Sequence, residues 1–303
     1  MASVTLARAK INLFLHVGDK RADGFHPLQS LAVFTELGDQ LSAEPAAELS
    51  FSLNGPFAAS LSGDTDNLVL KAARALAAKA GLSPNVKLSL TKNLPIASGI
   101  GGGSADAAAT LNLLTTLWNL DNPDLGAIAA ELGSDIPVCL ASQPSWMEGR
   151  GEILTQVASM PRLAMLLVNP GVAVPTKDVF AALEKRSGAS MKLPPGRFRD
   201  IADLLRFLDA SRNDLEEPAR RLQPVISEVL SALAALPGAL FARMSGSGAT
   251  CFALFPDDDS CARAAALLSA AHKGWWVAPT AVPQMGLTHE TPGQDIGPTE
   301  HGL

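Results

Sequence analysis

The chain has 303 residues, 47% of them hydrophobic and 18% charged, a balance that predicts a folded core and room for two domains of ordinary size. A net charge of −6 argues against a nucleic-acid groove as the main function, while one local basic cleft for phosphates stays compatible with it. No apolar run reaches membrane-spanning length, no basic-then-apolar leader opens the chain, and the odd set Cys139, Cys251 and Cys261 has no C-x-x-C spacing, so buried, reduced thiols in a cytoplasmic protein without a membrane partner are expected.

Residues 3–9 and 11–17 read as two extended segments, with Lys10 between them and Val4, Leu6, then Ile11, Leu13, Leu15 and Val17 alternating with period two. Residues 19–27 form a polar turn, and residues 28–34 and 48–53 read as further strands. Asp64-Thr65-Asp66-Asn67 has the composition of a helix start, followed by Leu68, Leu70, Ala73 and Leu76. Residues 86–91 alternate again, residues 104–118 and 124–132 read as helices, and Gly133-Ser134-Asp135-Ile136-Pro137 breaks the second. Past residue 158 the pattern resets. Residues 163–168 form an apolar strand, 176–185 a helix, 187–196 a Pro/Gly/Ser loop, and 198–208 and 218–236 two helices. Strands at 239–244 and 250–255 flank Ser245-Gly246-Ser247-Gly248, and a helix at 257–271 leads to a last strand at 275–282. Residues 285–303 lack periodicity and read as a disordered tail. This mixed order predicts an α+β chain, with domains at 1–158 and 159–284.

The chemistry concentrates at Pro95-Ile96-Ala97-Ser98-Gly99-Ile100-Gly101-Gly102-Gly103-Ser104, a glycine-rich loop that runs straight into a helix of small residues. Such a loop offers backbone N–H groups at the positive end of a helix dipole, where a phosphate can approach because no Cβ blocks it. It matches neither common template. A Walker A loop needs Lys and Ser/Thr after its last glycine, and Gly103 is followed by Ser104 and Ala105. The dinucleotide fingerprint would begin at Gly99 and Gly101 but meets Ser104 at its third glycine position. A plain turn that starts a packed helix is the competing reading, and three consecutive glycines weigh against it because they are entropically costly.

A phosphate cradle also needs a cation and a group that handles the nucleophile's proton. Lys10 and Asp135 are the candidates. Each has an ordinary alternative: an edge-strand lysine in water, and a helix cap. Ser104 can likewise be a plain cap. None of the five histidines stands at metal-ligand spacing, and no G-x-S-x-G elbow exists, so a zinc site and a serine hydrolase are disfavoured.

Three segments resemble the motifs of the GHMP small-molecule kinases: Ala9-Lys10-Ile11-Asn12-Leu13-Phe14-Leu15, residues 94–104, and Ser245-Gly246-Ser247-Gly248-Ala249-Thr250. Arg21-Ala22-Asp23-Gly24-Phe25-His26, residues 133–137 and Asn169-Pro170-Gly171 are similar to the branch of that family whose acceptor is 4-diphosphocytidyl-2-C-methyl-D-erythritol. The resemblance covers residues 4 to about 282. It implies a two-domain fold, with an N-terminal domain like the β-α-β domain 2 of ribosomal protein S5 and a ferredoxin-like C-terminal domain. It implies transfer of the γ-phosphoryl group of ATP, with Mg²⁺, to the 2-hydroxyl of that acceptor, a step found in bacteria or plastids; a bacterial cytoplasmic enzyme, monomer or homodimer, is the expectation, with plastid origin less favoured. By the same resemblance Asp135 is the base and Lys10 its cation. Asn12 orients the acceptor hydroxyls. Phe25, His26 and Phe180 take the cytosine. Pro95, Ser98, Gly99, Ile100, Gly101, Gly102, Gly103 and Ser104 wrap the phosphates, and Ser104 approaches the metal. Asn67, Leu68 and Lys92 surround the adenine, and Gly246 and Gly248 close against the phosphates. The family's acidic metal ligand has no clear counterpart beyond Glu148. A homoserine- or mevalonate-type kinase, a non-catalytic nucleotide-binding regulator, and an RNA-binding domain are the alternatives. Residues 21–26, the Lys10/Asp135 combination and the net acidity respectively disfavour them.

Overall fold

The computed structural model describes residues 3–22, 26–61, 67–183 and 196–286. Phe25, most of the Asp64–Asn67 helix start, most of the 187–196 loop and residues 287–303 of the expected tail lie outside that set.

The two segments expected around Lys10 form one strand, β1 (Ser3–Val17), antiparallel to β2 (Leu28–Pro45). Their register shifts between Arg8 and Lys10 and again between Asn12 and Phe14. Bulges of this kind re-aim side chains. From Ala9 onward every residue of β1 is buried, because a second layer covers the face that alternation assigned to solvent. Lys10 is therefore not an edge-strand lysine in water; it is 3% exposed. β2 runs eleven residues past the expected end at residue 34, through Glu36-Leu37-Gly38-Asp39, whose composition suggests a turn. Gly38 makes the passage possible: a Cβ there would stand 2.3 Å from the Ala7 carbonyl oxygen.

β3 (Ser50–Asn54) lies parallel to β4 (Val86–Thr91), with α1 (Leu68–Ala80) crossing between them. The Asn67 side chain caps α1 by accepting from the Leu70 amide at 3.0 Å, and Gly81 ends the helix in the left-handed region. β4 pairs with the far half of β2. α2 (Gly102–Leu117) follows, its stretch Ala105–Ala109 wholly buried against β1, α1 and the later α4. α3 (Leu125–Leu132), α4 (Ile136–Ala141), β5 (Ser145–Gly149) and β6 (Ile153–Gln156) complete the first half. β5 takes the near half of β2, so the sheet order is β3-β4-β2-β5-β6 with β1 on the opposite edge of β2.

The second half supplies β7 (Leu163–Asn169), α5 (Thr176–Ala181), α6 (Ile201–Asp209), α7 (Glu216–Leu222) and α8 (Val225–Ala234). β8 (Phe241–Met244), β9 (Cys251–Phe255), α9 (Asp258–Ala271) and β10 (Trp276–Val282) follow. The helix expected over 218–236 is two helices, because Pro224 forces Gln223 out of helical geometry. The sheet order β10-β7-β9-β8, antiparallel throughout, is the ferredoxin-like arrangement.

The two sheets share a core. Ile11, Leu13, Leu31 and Val33 pack with Met165, Leu167, Phe252 and Leu254 and with Phe198, Leu204 and Leu208. The buried Arg243 guanidinium ties β1 to the second half by donating to the carbonyls of Leu13, Leu208 and Ser211 and to the Ser211 hydroxyl. Burial lowers its pKa to about 10. The three cysteines are unbonded and buried, and among the described residues no helix is long and apolar enough to cross a membrane.

His16 sits at this junction with its ring edge-on to Phe14, and its Nε2 accepts from the Arg212 amide at 3.2 Å. Burial lowers its pKa below 6.5, against the opposing charge of Asp214. The folded protein thus binds fewer protons than the unfolded chain. The neutral ring's contribution is complete above pH 6.5 and is lost as pH falls through that value toward the lowered one. Urea unfolding across this range should show stability dropping on the acid side, and His16→Gln should flatten that drop. An unchanged slope in the variant would contradict the assignment.

Candidate active site

The glycine-rich loop joins β4 to α2. Gly99 and Gly101 have φ of +74° and +64°, the left-handed region that favours glycine. α2 begins at Gly102, two residues earlier than expected, so Ser104 lies in its first turn and is not its cap. Gly101 occupies the cap position and supplies no side chain, so the first amides of α2 keep their donors for an outside partner. That is the condition for an anion site at a helix start.

A second glycine turn is docked onto the first. The Ser245 hydroxyl accepts from the Asn12 amide at 3.1 Å and donates to the Gly99 carbonyl at 3.0 Å. Thr250 N–H donates to Ser98 O, and Lys10 N–H to Ile100 O. A Cβ on Gly99 would lie 2.4 Å from Ser245 O, and one on Gly246 2.8 Å from Gly99 O. The turns thus touch backbone to backbone.

Lys10 emerges from β1 beside this junction and donates to Asp135 Oδ2 at 2.7 Å. Asp135 does occupy the cap position of α4, yet its side chain makes no cap bond; it turns to Lys10 and is 39% exposed. Asn12 donates through Nδ2 to Ser30 Oγ, which in turn donates to Phe14 O, so the amide plane is held and Oδ1 lies close to Gly246.

These groups line one cleft of about 560 Å³. Its walls include Lys10, Asn12, Asn67, Leu68, Lys92, Pro95, Ser98, Gly99, Gly101, Gly102, Gly103, Ser104, Asp135 and Phe180. Phe51, Leu53, Leu68 and Leu90, which pack on the core of the first half, give the cleft an apolar lining, and Val174, Pro175 and Phe180 line it from the second half. The His26 ring stands 5.9 Å from the Phe180 ring, with Nδ1 3.0 Å from Gly18 O. Ile100 points into the core and only its carbonyl serves β1. The Lys92 ammonium is engaged from below, by Asp39 at 2.5 Å and Asp106 at 2.6 Å.

Asp39, Asp106 and Ser30 escape sequence reasoning, because each is a single polar residue in an ordinary context; Ser245 is visible in the sequence as part of the late glycine motif, but its partners Asn12 and Gly99 are not. Burial works against the charge on Lys92, but the two carboxylates more than offset it and raise its pKa. Burial likewise pushes Asp106 up to about 7, with Lys92 opposing and the charge of Asp39 adding. Among the described residues no three His, Cys, Asp or Glu side chains cluster as a metal cage, and Glu148 accepts from Gln29 without lining the cleft.

Residues 67–143 match the GHMP kinases N terminal domain, and residues 180–273 the GHMP kinases C terminal family. The chain is 51% identical over 274 residues to the 4-diphosphocytidyl-2-C-methyl-D-erythritol kinase of Cereibacter sphaeroides (strain ATCC 17029 / ATH 2.4.9), covering 90% of this chain and 96% of that protein. It is 50% identical over 278 residues to the protein of the same name from Parvibaculum lavamentivorans, covering 89% and 95%. A crystal structure of 4-(cytidine 5'-diphospho)-2C-methyl-D-erythritol kinase matches with a TM-score of 0.77 at 34% identity, over 93% of this chain and all of that one. Homoserine kinase from Cytophaga hutchinsonii shares the fold, with a TM-score of 0.69 at 18% identity, over 94% and 96%.

The docking of the two turns makes a sharp contrast between neighbouring glycines. Gly99→Ala meets both a left-handed φ and the Ser245 carbonyl, so thermal unfolding should move down by at least about 3 °C. Gly103→Ala meets only Leu68 Cδ1 at 3.6 Å and should stay within about 2 °C of the parent. Equal melting temperatures for the two variants would contradict the docking.

Proposed function

The chain belongs to the GHMP kinases and, within them, to the 4-diphosphocytidyl-2-C-methyl-D-erythritol kinases, and from that premise we propose which of its residues carry the transfer. The enzyme uses ATP to phosphorylate the 2-hydroxyl of 4-diphosphocytidyl-2-C-methyl-D-erythritol, giving the 2-phosphate and ADP, a step of the non-mevalonate route to isoprenoid precursors. The observation that carries our assignment is the Lys10–Asp135 pair, 2.7 Å apart, opening into the same cleft as the uncapped start of α2.

Asp135 is the general base. The acceptor is a tertiary alcohol and a weak acid, so its proton moves to the carboxylate as the oxygen's electron pair forms the new P–O bond and the bond to the ADP oxygen breaks. Asp135 reaches the cleft with one oxygen held by Lys10, which fixes its direction. Lys10 also places a positive charge beside the developing alkoxide and phosphoryl oxygens. The amides of Gly101, Gly102, Gly103 and Ser104 receive the triphosphate, with Gly99 and Gly246 holding the loop in place. Asn12, locked through Ser30, orients the methylerythritol hydroxyls.

Phe180 and His26 form the cytosine wall, and Phe25, which lies outside the described residues, completes it by the family resemblance. The apolar lining of Phe51, Leu53, Leu68 and Leu90, with Asn67 in the same cleft, suits the adenine. Lys92 contributes there through its stem, because its ammonium is engaged below. The cleft suits Mg²⁺, an ion that keeps mostly phosphate and water ligands, and the Ser104 hydroxyl lines it; when bound, the ion would neutralise phosphate charge. The change of sheet between Gln156 and Leu163 supports domains at 1–158 and 159–284, and the unbonded cysteines support a reducing, cytoplasmic setting.

Purified enzyme with ATP and Mg²⁺ should release ADP with 4-diphosphocytidyl-2-C-methyl-D-erythritol and not with homoserine or mevalonate. Asp135→Asn should lower kcat by about 10²–10⁴ while ATP affinity stays near that of the parent. Full activity in Asp135→Asn would remove it from the role of base.

A further inference from the structure

Both ends of the glycine loop rest on one buried carboxylate that takes no part in the chemistry. Asp39, on β2, is fully buried. Its Oδ1 accepts from the amides of Asn93 and Leu94, at 2.6 and 2.9 Å, where the chain leaves β4 for the loop. Its Oδ2 accepts from Lys92 at 2.5 Å. At the other end of the loop, a Cβ on Gly102 would sit 3.6 Å from the same Oδ2 and 3.2 Å from the Lys92 ammonium. Lys92 then donates to Asp106, in the second turn of α2, which closes a bracket from β2 through β4 to the helix. The Asn93 side chain adds a bond to the Gly38 carbonyl, beside Asp39 on the same strand.

We propose that Asp39 is the positioning residue of the phosphate cradle: it sets the separation between the loop's first amides and the start of α2, and through it the binding of the ATP phosphates. The proposal rests on the reading that residues 101–104 receive the triphosphate. The physical case is one of stiffness. A carboxylate holding two backbone amides and an ammonium makes strong, charge-assisted bonds inside a region without competing water. The Asp39 side chain engages the loop's start, Lys92 and, beyond it, the Asp106 carboxyl on α2, so its loss would act on the cradle and leave the acceptor wall at Phe180 and the Lys10–Asp135 pair in place. A neutral amide at the same position keeps an oxygen for Asn93 and Leu94 while losing the charge toward Lys92. Asp39→Asn and Asp39→Ala therefore separate the backbone anchors from the ion pair.

Steady-state kinetics of the full chain with both substrates tests this. Asp39→Ala should raise KM for ATP by about tenfold or more and leave KM for the acceptor within about twofold, because a displaced cradle loses only phosphate contacts. Asp39→Asn should restore most of the ATP affinity. Loss of active protein with both KM values unchanged would reduce Asp39 to a structural role and overturn the proposal, as would equal rises in both KM values. If Asp39→Ala does not fold, hydrogen exchange on the parent decides. The Asn93 and Leu94 amides should be protected without nucleotide, and those of residues 101–103 only with ATP. Rapid exchange at Asn93 and Leu94 would overturn the proposal. A parent enzyme whose rate shows no saturation with ATP, and whose 101–103 amides ATP leaves unprotected, would instead remove the cradle reading, and the role of Asp39 with it.

Discussion

The hydroxyl of Ser245 accepts from the backbone of Asn12 and donates to the backbone of Gly99, and so joins three segments that are far apart in the chain. β1 carries Lys10 and Asn12, the first glycine loop carries the anion site, and the second glycine turn comes from the other sheet. Contact at this distance is possible only because Gly99 and Gly246 lack side chains, and two left-handed backbones let the turns meet. The cleft inherits its geometry from that contact. The proposed meeting of donor phosphates and acceptor hydroxyl rests on this frame, because the strand carrying Lys10 and Asn12 is hydrogen-bonded to both turns.

The same chemistry, a buried lysine and a carboxylate, appears twice with opposite uses. Lys92 is sealed between Asp39 and Asp106, and nearly all of its capacity is spent inside the protein. A buried charge must be paired in this way to be tolerated at all. Lys10 is equally buried, but its one carboxylate partner opens to the cleft. Asp135 has an oxygen free of the lysine and opens to the cleft, which is why this pair is the one proposed to do chemistry while the other shapes the floor. Exposure of the carboxylate, more than that of the lysine, separates the two roles.

Much of this was visible in the sequence where a local pattern carries the signal. The glycine run, the Asn67 cap and the order of strands and helices follow from turn chemistry and periodicity, and the family motifs name the reaction. What local reasoning misplaced was governed by contacts across the fold. β1 looked like two strands because Lys10 interrupts an apolar pattern, and the interruption disappears once the second sheet covers that face. β2 was expected to end at residue 34, and it continues because the Ala7 carbonyl passes where a Cβ on residue 38 would stand, a contact that only the fold reveals. α4, β5 and β6 are too short to show a period. The convergence of Lys10 and Asp135, separated by 125 positions, and the bracket around Asp39 exist only in three dimensions.

On the proposed assignment, one cleft framed by the docked glycine turns presents the acceptor's 2-hydroxyl to Asp135 and the ATP phosphates to the start of α2 at the same time. A crystal structure with a non-hydrolysable ATP analogue and 4-diphosphocytidyl-2-C-methyl-D-erythritol bound together tests it most directly. The 2-hydroxyl should lie within hydrogen-bond reach of the Asp135 carboxylate, the triphosphate on the amides of residues 101–104, and the cytosine beside Phe180. A triphosphate bound away from those amides, or a 2-hydroxyl facing any base other than Asp135, would contradict it.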